Sequence, residues 1–186
     1  NILEAWILHK FNIGVPAGIK VGHMPLALGN NLFFDHAKFG DDAIVVFFDP
    51  TKELHVGLLT IKLSEGTSNI TDDATAYVGL FAYKTKGFNL SGDITRVDDQ
   101  RNQINTNGAA NSGGTMAAGD MGTHLTNIGL RADVTFGGLN IMADAEMQSG
   151  KSDWENASDI KHKGSAFLVG ASYKVAPATI RAKYGH

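Results

Sequence analysis

The sequence predicts an all-β fold: an antiparallel meander forming part of a transmembrane β-barrel, a single partial barrel domain over residues 1–186. Two alternations predict it. Side chains switch between apolar and polar along successive segments, the period of a strand with two unlike faces. Connections switch between short and long, and short turns at one end with long loops at the other are how such a barrel is built. Gly137-Gly138 and Ala176-Pro177 are two-residue turns, whereas Asp98–Met121 and Gly150–Lys163 are long and polar.

About ten strands follow in order. They run over 2–11, 17–26, 42–49, 53–64, 74–84, 88–97, 123–136, 139–148, 164–175 and 178–185. Short connections fall near 12–16, 50–52, 86–87, 137–138 and 176–177, and longer ones at 27–41, 65–73, 98–122 and 149–163. The sixth strand sets Phe88, Leu90, Gly92 and Ile94 against Asn89, Ser91, Asp93 and Thr95. The seventh sets Ile128, Leu130, Ala132, Val134 and Phe136 against Asn127, Gly129, Arg131, Asp133 and Thr135. The eighth opposes Leu139, Ile141, Ala143, Ala145 and Met147 to Asn140, Asp144, Glu146 and Gln148, with Met142 out of pattern. The last opposes Ala178, Ile180, Ala182 and Tyr184 to Thr179, Arg181 and Lys183.

Periodicity does not say which wall faces inward. In a soluble sandwich the apolar wall is the core; in a porin it meets lipid and the ionic wall lines the lumen. Three features favour the porin. Loop lengths are systematically unequal. Phe136, Tyr173 and Tyr184 fall toward strand ends, where interfacial aromatics sit. The stretch 98–122 is longer than loops in compact soluble domains usually are.

Composition agrees. A formal charge of −3 leaves no nucleic-acid footprint, and the lack of cysteine excludes disulfides and thiolate metal sites. The longest apolar run, Ala43–Phe48, is far too short for a membrane helix, but barrel strands need only about 9–11 residues. With 22 Gly and 4 Pro, the chain suits strands and tight turns. Ile2 already stands in a strand-like run, and the chain stops just after the alternating 178–184. Both ends therefore read as cut strands, with room for a signal sequence outside them.

Gly22-His23-Met24-Pro25-Leu26-Ala27-Leu28-Gly29, followed by Phe34-Asp35-His36-Ala37-Lys38-Phe39, resembles the early strands of alginate-export-like bacterial outer-membrane porins. That family carries Gly-Arg-Gln-x-Leu-x-x-Gly and then a Phe-Asp-Gly-Ala-Arg-like stretch. Here His23 replaces the Arg, Met24 the Gln, His36 the Gly and Lys38 the second Arg. The resemblance implies a porin barrel of more than ten strands. With these replacements it does not carry over the family's basic constriction or its anionic polysaccharide substrate.

The pore-lining candidates are Asn89, Ser91, Asp93, Arg131, Asp133, Asp144, Glu146, Arg181 and Lys183, with Arg96 also read as inward. Charged side chains on the wall of a wet pore select solutes through their field; the plainer alternative is cross-strand pairs that only stiffen the wall. Acids on neighbouring strands and bases on the next pair (Lys174, Arg181, Lys183) either face each other across a lumen or lie side by side. The seven His show no metal-ligand spacing. Asp41-Asp42, Asp72-Asp73 and Asp98-Asp99 are either solvated loop acids or Ca²⁺ ligands. Gly-x-Ser-x-Gly is absent, and no Gly-rich stretch has the Lys and helix of a phosphate loop, so no catalytic residue and no cofactor is assigned.

The functional expectation is therefore an outer-membrane porin passing small hydrophilic solutes or ions by diffusion. Its partners are the outer-membrane lipid bilayer and those solutes, and a homo-oligomer is compatible. The alternatives are an outer-membrane barrel enzyme and a soluble β-sandwich binding module. Long loops, 98–122 above all, are expected to fold inward and narrow the pore. The Gly137-Gly138 turn further sets Phe136 opposite Leu139 and Arg131 opposite Asp144, predicting contact between that charged pair with Asp93 or Asp133 as further partners. In a wet lumen such a pair is worth only about 0–1 kcal/mol, so its removal is expected to change selectivity more than stability.

Overall fold

Tight turns set the meander. Between Phe136 and Leu139 the chain reverses through Gly137 at φ +58°, a backbone that Gly adopts without a Cβ penalty. The computed structural model describes residues 3–28, 30–65, 73–100, 120–154 and 158–186. Ten antiparallel strands form one sheet, each paired with its neighbours in sequence. They are β1 (Ala5–Lys10), β2 (Ala17–Met24), β3 (Asp41–Phe48), β4 (Leu54–Ser64), β5 (Ala74–Thr85), β6 (Phe88–Asp99), β7 (Asp120–Phe136), β8 (Leu139–Trp154), β9 (Ile160–Val175) and β10 (Ala178–Gly185). No helix occurs among the described residues. β1 and β10 form the two edges and do not pair with each other, so the sheet is open.

The ten expected strands are all present, and five, β5 to β9, are longer than expected, β7 to β9 by three residues or more. Ladder pairing continues from Gln148↔Gly164 up to Ser152↔Ile160, so most of the expected 149–163 loop is hairpin. Nothing apolar alternates there, because both faces of that hairpin are polar. The expectation for 98–122 falls largely outside the described residues, which resume at 120.

Register sorts the side chains into two walls. One row of cross-strand neighbours runs Phe48, Val56, Phe81, Gly92, Leu130, Ala145, Phe167, and its members share one face. That face is apolar and open: Leu130 is 54% exposed, Ile141 53% and Phe136 84%. No second sheet covers it among the described residues, as a sandwich would require. Phe136, Tyr173 and Tyr184 all fall toward strand ends, as expected, the first two beside short turns and Tyr184 one residue from the end of β10, where it pairs with Val169 of β9. Arg96 also departs from expectation. It pairs with Tyr77 and Thr126 on the apolar wall, near its long-loop rim, where its Nε donates to Asp98 at 2.7 Å.

The opposite wall is covered by the chain itself. The connection 25–40, described except for residue 29, leaves β2 and crosses this face before returning to β3. Its Leu28 and Phe34 join Met24, Ala43, Ile61, Ala76 and Val78 in a small buried core, with Leu26 and Phe33 packed alongside. This explains the run Ala43–Phe48: those strands are apolar on both faces because one face meets the open side and the other lies under the connection. Farther on, the backbone N–H of Asn30 donates to Asp144 on β8 at 3.0 Å. On a flat sheet six strand spacings of about 4.8 Å separate β2 from β8, roughly 29 Å. Six residues from Met24 to Asn30 span at most about 22 Å, the Asp144 side chain and the bond add only about 7 Å, and the register also sets Met24 about seven residues along the strands from Asp144. The bond therefore requires the sheet to curl toward the covered wall.

Candidate functional site

Beneath the connection, three strands bring four charges together. Arg131 on β7 faces Ser91 on β6 and Asp144 on β8, and one rung away Asp93, Gly129 and Glu146 lie in register. Gly129 supplies the space. A Cβ there would stand 2.6 Å from both Arg131 Nη2 and Glu146 Oε2, so Gly leaves room for the guanidinium to fold back over the strand. Arg131 Nη1 donates to Asp93 Oδ1 at 2.6 Å, Nη2 donates to Glu146 Oε1, and Nε lies 3.4 Å from Asp144 Oδ2. Asn127 Nδ2 donates to Glu146 Oε2 at 2.6 Å and the Thr95 hydroxyl to Asp93 Oδ2 at 3.0 Å.

The expected Arg131–Asp144 contact is thus present, and Asp93 is a further partner. Asp133 instead accepts from Asn140 at 3.0 Å and from Asn89 at 3.4 Å. The wet setting expected for the pair is not what the structure has. Arg131 is 8% exposed, Glu146 4% and Asp144 2%, because the 25–40 connection lies over them. A buried ion pair behaves unlike an exposed one: removing one partner strands the other's charge in a medium that solvates it poorly.

Three carboxylates surround one guanidinium, a formal excess of two negative charges. Neutral donors make up part of the difference. Asn127 and Thr95 come from the wall itself, and Asn30 comes from the connection, giving both its backbone N–H and its side-chain Nδ2, the latter at 3.1 Å, to Asp144 Oδ2. Asp144 Oδ1 and Arg131 Nε are buried without hydrogen-bond partners. Asn127 and Thr95 were legible as polar-face residues. Asn30 carried no sequence signal for this role.

The remaining pore-lining candidates lie outside the cluster. Asn89, Ser91 and Asp133 line a cavity of about 280 Å³ with Asn30, Arg131 and Met142. Arg181 and Lys183 line another of about 260 Å³ with Asn140 and Ser172. The acids and these bases lie side by side along the wall: Asp133, Met142, Gly170 and Lys183 form one row. No ion pair joins the two sets among the described residues. The accessible bases therefore stand on the edge strand, while most acids are covered.

Histidine and aspartate pair repeatedly near the strand ends. His36 Nδ1 lies 2.8 Å from Asp41 Oδ2, and His124 Nδ1 lies 2.7 Å from Asp98 Oδ1. His23 touches Asp42 and the Phe39 carbonyl, each at 2.9 Å. Asp73 pairs with Lys62 at 2.9 Å, and Asp72 lies outside the described residues. At least one acid of each doublet is thus engaged with a basic partner, and among the described residues no group of three or more His, Cys, Asp or Glu is placed to hold a metal ion. The chain matches no family model and no curated protein.

Proposed function

We propose that this chain forms the wall of an outer-membrane porin through which small hydrophilic solutes or ions diffuse. The exposure of the apolar wall carries the reading. Soluble monomers rarely leave contiguous apolar patches larger than a few hundred Å² open to water. Here exposed apolar side chains run from Val21 on β2 to Ile180 on β10. On β7 the apolar positions Ile128 to Phe136 span eight residue rises, roughly 27 Å along the strand, which a strand tilt of about 35–45° reduces to a height of roughly 19–22 Å, most of the about 25 Å apolar band of such barrels. Above it lies the pair Arg96–Asp98 with His124, the kind of ionic rim that belongs in headgroups. The opposite wall, polar over β6 to β10, would line the lumen, and the 25–40 connection would narrow it. In a bilayer both sheet edges would be paired, because unpaired backbone groups are not tolerated in hydrocarbon. The location proposed is the outer membrane of a Gram-negative-type cell.

The test is reconstitution of the purified protein into planar lipid bilayers. Stepwise, voltage-stable conductance increments in KCl are the expected result, together with a requirement for detergent to keep the protein in solution. A protein that stays monomeric without detergent and leaves the bilayer silent would refute the reading.

A further inference from the structure

We propose that Asp144 is the anchor that holds the 25–40 connection across the inner wall, so that the Arg131 cluster serves to dock this connection rather than to line an open lumen. The inference rests on the porin reading and adds the residue that positions its constriction. Four observations carry it. Among the described residues Asp144 is the one acid of the cluster that bonds the connection, receiving two donors from a single residue, Asn30. Its neighbours are arranged to leave it available. The two terminal nitrogens of Arg131 are taken by Asp93 and Glu146, and only Nε, 3.4 Å away and making no hydrogen bond, lies near Asp144. The local excess of carboxylate favours any neutral donor that can approach, because hydrogen bonds to an ionised acceptor are the strong ones. Finally, the rest of the connection is seated independently. Leu28 and Phe34 pack on the inner faces of β3 to β5, and His36 meets Asp41 at the foot of β3. Asn30 is thus the far end of a strap fixed at its base, and Asp144 is where that end is fastened.

Two substitutions test this in planar bilayers. Asp144→Ala removes the acceptor. Asn30→Pro removes the backbone N–H and the side-chain amide together and leaves the strand wall untouched. Each is expected to raise single-channel conductance about twofold and to increase open-channel noise, because pore width governs conduction and a released strap no longer fixes it. Asn30→Pro carries the test if Asp144→Ala does not fold. Channels whose conductance and noise are unchanged by Asn30→Pro would overturn the anchor alone. Silence from the unmodified protein would instead sink the porin reading on which it rests.

Discussion

Arg131→Ala is expected to lower stability by about 3–5 kcal/mol, the range for removing one member of a buried ionic group. The guanidinium is the only cation among Asp93, Asp144 and Glu146, and all four residues are nearly inaccessible. Without it three carboxylates face one another under the 25–40 connection with only Asn127, Thr95 and Asn30 to donate to them. Urea unfolding of the reconstituted protein would measure the loss. Lysine at 131 should rescue little, since one ammonium cannot reproduce the fixed fork that reaches Asp93 and Glu146 at once. Combining Arg131→Ala with Asp93→Asn and Glu146→Gln should recover a large part, because the stranded charge is then gone. A loss below about 1 kcal/mol for the single change, the value of an exposed pair, would mean that the cluster is wet after all.

Leu130→Arg is the second large effect. Leu130 sits in the middle of the apolar wall, between Gly92 and Ala145. If that wall meets lipid, a charge near the midplane costs about 2–4 kcal/mol. If it meets water, a substitution at a half-exposed position costs within about 0.5 kcal/mol. Thr126 is the matched control. It shares the wall but lies opposite Arg96 at the ionic rim, so Arg there should cost only about 0–1 kcal/mol. Gly129 is unsuitable as the opposite-face control, because any side chain there enters the Arg131–Glu146 contact. Equal stability of the Leu130→Arg and Thr126→Arg proteins in bilayers would contradict a lipid-facing wall.

The strands were legible because sheet geometry writes itself locally. Each residue's face follows from its parity, and Gly137-Gly138 fixed the pairing of Arg131 with Asp144 from a turn only a few residues away. The ends of β7 to β9 were less legible, because beyond Thr126 and Gln148 polar residues stand on both faces and parity carries little contrast. The covering of the inner wall was not legible at all. It depends on Asn30 meeting Asp144, 114 residues later, and no period links them. One trace was present. Ala43–Phe48 is apolar at every position, and a strand apolar on both faces has something over each. Taken that way, the run signals a cover for β3 to β5, although not which segment supplies it. The burial of Arg131 followed from the same unseen crossing, which is why the pair was expected on an open wall and is found covered.

The placement of that crossing also orders the assembly of the molecule in time. Every strand pairing joins neighbours in the chain, so each can close across a short stretch with little entropic cost. The strap is the exception. Its apolar half rests on β3 to β5, which follow it at once in the sequence, but the residue that receives Asn30, Asp144, lies on β8. The strap can therefore be seated by its Leu and Phe side chains before β8 is in place. The hairpins are expected to form first, with the fastening of Asn30 reporting their completion.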